Sequence, residues 1–139
     1  MRRFIQLALL GSLIALGFPS IAAQTIELPA SLKSDSLALD GESGGKVDSK
    51  DCGFISKSPT QVLAVRDRLD FLRLKVKSQG GQPTLLIKGP SGRFCILGEK
   101  TNGYSPQHAG IWMPGNYQVF VGDLGGQRHR VTLELSRKR

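Results

Sequence analysis

Arg73, Lys75 and Lys77 occupy alternate positions of one short tract, and alternate residues of an extended backbone project to the same side. Three cations aligned in this way do not make or break bonds. They attract a repeating anion, such as a polymer bearing sulfate, carboxylate or phosphate groups. Arg128 and Arg130 repeat the spacing near the end of the chain and extend the patch if the two tracts lie side by side, which gives five candidate ligand-binding residues. The competing account is a solvated face of a half-buried strand whose charges guard against aggregation. Nucleic acid is the least favoured anion, because the chain carries an export signal (below) and stacking aromatics are scarce near the basic tract.

Residues suited to catalysis are few. A serine or cysteine nucleophile needs a base within hydrogen-bond reach, and no Gly-x-Ser-x-Gly elbow is present. His108 and His129 are too far apart in sequence to mark a shared site, and both read as surface residues. His129 lies between two arginines. Glu99 and Asp123 have no spacing that makes them a carboxylate pair. Gly89-Pro90-Ser91-Gly92 is a turn, since a phosphate loop or dinucleotide fingerprint needs a helix after its glycines. No enzyme activity, cofactor or metal is expected.

The start of the chain bears on where it works. Met1-Arg2-Arg3, the apolar run from Phe4 to Phe18 and Ser20-Ile21-Ala22-Ala23 form a secretory signal peptide over residues 1–23. The run is short for a span of ~20 apolar residues, so no stable membrane insertion is expected after cleavage, and the mature chain is read as periplasmic or secreted. Cys52 and Cys95 are the two cysteines, both in the exported part. In an oxidising compartment they pair as a disulfide. Two isolated cysteines lack the paired spacing of a zinc site.

The elements that position these residues follow from pattern and charge. Residues 24–51 carry Glu27, Asp35, Asp40, Glu42, Asp48 and Asp51 against three lysines, a net of −3, and are rich in Ser and Gly. They read as a disordered acidic arm or linker that folds back to mask a basic domain, although Thr25-Ile26-Glu27-Leu28 alternates and suits an edge strand. Residues 52–139 carry a net of +9 and form one domain. There the period is two and turns recur, as in an all-β sandwich or barrel. Leu72, Leu74 and Val76 alternate with the three cations in the clearest strand. Leu69 and Phe71 fall out of phase with them, which predicts a bulge or a change of sheet near Phe71. Thr84–Ile87 is apolar on both sides and reads as a buried strand, turning at Pro90 into Arg93–Leu97. Lys100–Gly110 reads as an irregular loop with at most one helical turn, Trp112 as core, and two further strands run around Tyr117–Val121 and Val131–Leu135.

The order of these pieces resembles the bacterial pre-peptidase C-terminal domain across roughly Cys52 to Ser136. The resemblance is carried by Leu72–Val76, by Thr84–Gly92 with Cys95 shortly after, and by Pro114–Gly122. It implies a single antiparallel β-sandwich, jelly-roll-like, of about seven to eight strands. It also implies a non-catalytic binding module, here for an anionic polysaccharide or other anionic cell-surface or extracellular polymer. The alternative is an envelope protein-interaction domain, a secretion helper or inhibitor, using an exposed strand edge or the loop from Glu99 to Gly110. Many members carry several aspartates after the position matching Cys95, where this chain has Ile96-Leu97-Gly98-Glu99-Lys100. Calcium takes six to eight oxygen ligands, so that metal role does not carry over.

Overall fold

The computed structural model describes Gly17 and residues 23–139; apart from Gly17 and Ala23, the expected signal peptide lies outside the described residues. Along the rest run β1 (Thr25–Leu28), β2 (Ser36–Glu42), β3 (Val47–Asp48), β4 (Phe54–Ile55), β5 (Gln61–Val65) and β6 (Leu69–Ser78). They are followed by β7 (Pro83–Gly89), β8 (Gly92–Leu97), β9 (Gln107–Trp112), β10 (Gly115–Asp123) and β11 (Arg130–Ser136), with single 3-10 turns at Lys33–Asp35 and Lys100–Asn102. The all-β sandwich is what the chain forms. Its described strands number eleven because the acidic segment contributes β1, β2 and β3. The pairing is antiparallel except between β1 and β5.

The strands form two sheets. In the four-stranded sheet the order is β2-β11-β6-β9. In the seven-stranded sheet β10 is the hub, pairing with β5 over Gly115–Val119, with β7 over Gln118–Asp123 and with β4 at Asp123; β1 lies beyond β5, β8 beyond β7 and β3 beyond β4. Alternation decides which face each residue joins. Leu72, Leu74 and Val76 of β6 and Val131, Leu133 and Leu135 of β11 turn inward. They meet Leu63, Val65, Leu85, Ile87, Val119 and Val121 of the other sheet in one buried core. Trp112 is buried there as expected, and its indole N–H donates to the Leu72 carbonyl at 3.2 Å. Of the bulge or change of sheet expected near Phe71, it is the bulge that is present: the register of β6 against β9 shifts between Leu69 and Leu72, and both pair with the same strand.

Residues 24–51 are not a disordered arm, and the domain boundary expected at residue 52 falls inside the fold. Leu28 and Leu32 sit in the main core, β1 pairs with β5, and β2 pairs with the whole of β11 from Ser36↔Ser136 to Glu42↔Arg130. The segment is polar because β2 covers the core from one side only, with Leu37 and Leu39 inward and Ser36, Ala38, Asp40 and Glu42 outward. After β2 the chain crosses between sheets at Ser43-Gly44-Gly45. The Ser43 N–H donates to the His129 carbonyl at 2.9 Å and the Gly44 N–H to that of Val121 at 3.1 Å. Gly44 has φ +77°, and a Cβ there would collide with the Gln127 carbonyl oxygen, so the crossing requires glycine.

Beyond the crossing, residues 46–56 supply β3, β4 and the loop between them, which fold over the outer face of β7 and β10. Cys52 and Ile55 bury Leu86 and Phe120 in a second, smaller core, which is why β7 is apolar on both sides. The Cys52–Cys95 disulfide closes this cover onto β8, with Cα atoms 5.7 Å apart. Lys100–Gly110 is less irregular than its composition suggested. After the 3-10 turn, β9 pairs with β6 from Lys75↔Gln107 to Leu72↔Gly110.

Candidate functional site

Register places the basic residues on the outer face of the four-stranded sheet. β6 and β11 are neighbours, so Arg73, Lys75 and Lys77 do lie beside Arg130 on one face, with Arg128 in the loop that precedes β11. The rows across this face run Ala109–Arg73–Ser136–Ser36, Gln107–Lys75–Glu134–Ala38 and Lys77–Thr132–Asp40. Acids therefore interrupt the stripe. Lys77 Nζ lies 2.7 Å from Glu134 and Arg128 lies 3.4 Å from Glu42, while Arg130 faces Glu42 across the β2–β11 pairing. The acidic segment does bring carboxylates onto the basic face, as a strand of the sheet.

Arg73, Lys75 and the exposed Arg130 have no ion pair among the described residues, and burial sets the first two apart: both are half-buried. The Arg73 guanidinium carbon lies 5.4 Å from the centre of the Phe71 ring, and that of Arg139 lies 5.5 Å from the same ring. Contact with a ring face stabilises a cation and limits its motion. Phe71 shares the parity of Arg73 and Lys75, and the bulge before Leu72 turns Leu69 into the core while Phe71 stays on the outer face. Sequence patterning aligned the β6 cations correctly. It did not reveal which of them acids neutralise, nor that Arg139 joins the cluster.

Two exposed ion pairs brace the rim of the larger sheet. Arg66 grips Glu27 through two hydrogen bonds of 2.5 and 2.7 Å, and Arg93 grips Asp51 at 2.6 and 2.7 Å. These contacts hold the Glu27 and Asp51 carboxyls below their ordinary range. Both histidines are half-buried, not surface residues. His108 stacks on Phe94 with ring centres 5.9 Å apart and meets the edge of Trp112 at 5.8 Å; burial pushes its imidazole below the ordinary value. His129 packs on the Gly80–Gly81 turn. Glu99 and Asp123 have separate local roles: Glu99 caps the 3-10 turn, and the buried Asp123 carboxylate accepts from the Gln82 and Gly125 N–H groups at 2.9 and 2.8 Å. Among the described residues no three His, Cys, Asp or Glu side chains gather as metal ligands, and no helix is long and apolar enough to cross a membrane.

No family model matches the chain. It is similar to an uncharacterised protein of Synechococcus elongatus, with 42% identity over 108 residues that cover 75% of this chain and 78% of that protein. Among solved structures it is similar to the pre-peptidase C-terminal domain of a collagenase from Bacillus anthracis, with a TM-score of 0.54 across 86% of this chain and 99% of that domain. At 16% identity the second likeness is one of fold.

Proposed function

We propose, from the premise that this chain belongs to the family of the Synechococcus elongatus protein and has the fold of a pre-peptidase C-terminal domain, that it is an exported, non-catalytic module binding an anionic cell-surface or extracellular polymer. The observation that carries this reading is the pair of unneutralised, half-buried cations Arg73 and Lys75 on one strand face, with Arg139 sharing the Phe71 ring. Residues two apart on a strand are separated by roughly 6.6 Å, so successive anionic groups of an extended polymer can each meet a cation. Lys77 and Arg128 flank this centre and act at longer range, because Glu134 and Glu42 already neutralise part of their charge, and Arg130 lies exposed beyond them. The disulfide and the export signal at the start of the chain support a periplasmic or secreted location.

The test is retention of residues 24–139 on an acidic-polysaccharide resin over a salt series. Contacts of this type weaken as salt rises, by analogy with counterion release from nucleic acids. Arg73→Gln with Lys75→Gln is expected to abolish retention near physiological salt, whereas Lys77→Gln with Arg128→Gln shifts elution less. Elution of both double variants at the wild-type position would overturn the reading.

A further inference from the structure

On one side of the sandwich the edge strands β8 and β9 stand over each other and leave a cleft of about 80 Å³, lined by Ile87, Ser91, Phe94, His108, Trp112 and Tyr117. One water needs only ~10–15 Å³; this space suits a single aliphatic side chain. Apolar surface is exposed around it: Phe94 is 43% exposed, Ile111 57% and Met113 48%. Gly110, on the inward side of β9 opposite the buried Leu72, adds open space, since a Cβ there would meet no atom within 4 Å.

The backbone of β9 is free on the same side. The Val76 N–H donates to the Pro106 carbonyl at 3.0 Å. In an antiparallel pair bonded and non-bonded positions alternate. The register Leu74↔His108 and Arg73↔Ala109 therefore turns the N–H and C=O groups of Gln107 and Ala109 away from β6, to an edge that no described strand covers. Exposed edges are ordinarily guarded by charge or proline. The other edge strands obey this, with Glu27 in β1, Asp40 and Glu42 in β2, Asp48 in β3 and Arg93 in β8. Gln107–Trp112 contains neither.

We propose that β9 is the docking edge for an extended segment of a partner protein in which acidic residues alternate with bulky aliphatic ones. Such a strand lies ~4.8 Å beyond β9, and hence about 10 Å from β6. A carboxylate opposite Ala109 meets Arg73 across the small alanine, and its neighbours point inward beside Gly110 and fill the cleft. A second copy of this chain is a poor occupant. Its β9 supplies no acid, and antiparallel pairing of two such edges brings Arg73 and Lys75 of both copies together. This inference goes beyond the polymer reading and depends on the β9 backbone, which that reading does not use.

The probe is an acetylated seven-residue peptide alternating Glu with Val and Leu, titrated into the chain while the emission of Trp112, the single tryptophan and a wall of the cleft, is followed. A saturable emission change is expected. It should weaken at least tenfold when Lys replaces Glu in the peptide, and at least tenfold with Ala109→Pro, which removes one edge donor yet leaves retention on the acidic resin unchanged. A peptide N-methylated at alternate residues is expected not to bind, a control that leaves the protein untouched. Equal binding of the N-methylated and parent peptides, or no emission change at millimolar peptide, overturns the proposal. So does binding abolished by Arg73→Gln with Lys75→Gln but untouched by Ala109→Pro, since the peptide then acts only as a polyanion. A dimer that Ala109→Pro converts to monomer also overturns it, by making a second copy the occupant.

Discussion

Replacing Cys52 and Cys95 together by alanine tests whether the cover over the larger sheet is held by covalent constraint or by its own contacts. The cross-link spans 43 residues. In the chain-entropy account a loop of that length restricts the unfolded chain by about 4 kcal/mol at 25 °C. The native contacts of the cover persist without it: Thr84 Oγ1 donates to the Cys52 carbonyl at 2.7 Å, Arg93 holds Asp51, and Ile55 packs on Leu86 and Phe120. None of these restrains the unfolded chain, so the entropic loss should appear almost in full. For a domain of this size a loss of about 4 kcal/mol lowers the midpoint of thermal unfolding by roughly 12–20 °C. Urea unfolding followed by Trp112 fluorescence, compared between wild type and variant, measures the difference directly. The dependence on urea should steepen, because an unfolded chain freed of its cross-link exposes more surface. A stability change below about 1 kcal/mol would refute the reasoning and show that packing and hydrogen bonds already anchor the cover.

Two further outcomes follow from packing. His108 has its imidazole lowered from 6.5 by burial. The unfolded chain therefore takes up a proton first as pH falls. The contribution of neutral His108 to stability is complete above about pH 6.5 and declines as pH drops toward the lowered folded value. NMR titration of the His108 ring should place its midpoint below 6.5, and a midpoint above that value would contradict the packing. Gly44→Ala forces a side chain into positive φ against the Gln127 carbonyl, and should cost about 2–3 kcal/mol in thermal unfolding. A change within about 0.5 kcal/mol, the range of ordinary surface substitutions, would mean that the crossing relaxes.

Strands with both alternation and a strong turn were legible in the sequence: β6, the β7–β8 hairpin around Pro90, β10 and β11. A bulge or a change of sheet was legible too, because Leu69 and Phe71 break the phase of Leu72, Leu74 and Val76. β2 and β9 were not. Ser36–Glu42 offers only Leu37 and Leu39 to the core, and Gln107–Trp112 contains Ala109 and Gly110. Their extended form comes from β11 and β6, partners far away along the chain, and pairing of that kind overrides local preference. The site divided in the same way. Direction along one strand is a matter of parity, so Arg73, Lys75 and Lys77 could be aligned from sequence. Neutralisation by Glu134 and Glu42 depends on register between strands, which no local pattern records.

The place of β11 bears on the order in which the molecule is made. β11 follows every other described strand in the chain, yet it is not an edge of the four-stranded sheet; it lies between β2 and β6. Until Arg130–Ser136 has been synthesised, β2 has no partner and β6 is paired on one edge only. Contacts so distant along the chain form slowly. The four-stranded sheet therefore cannot assemble before β11 is present, whatever the seven-stranded sheet has already formed.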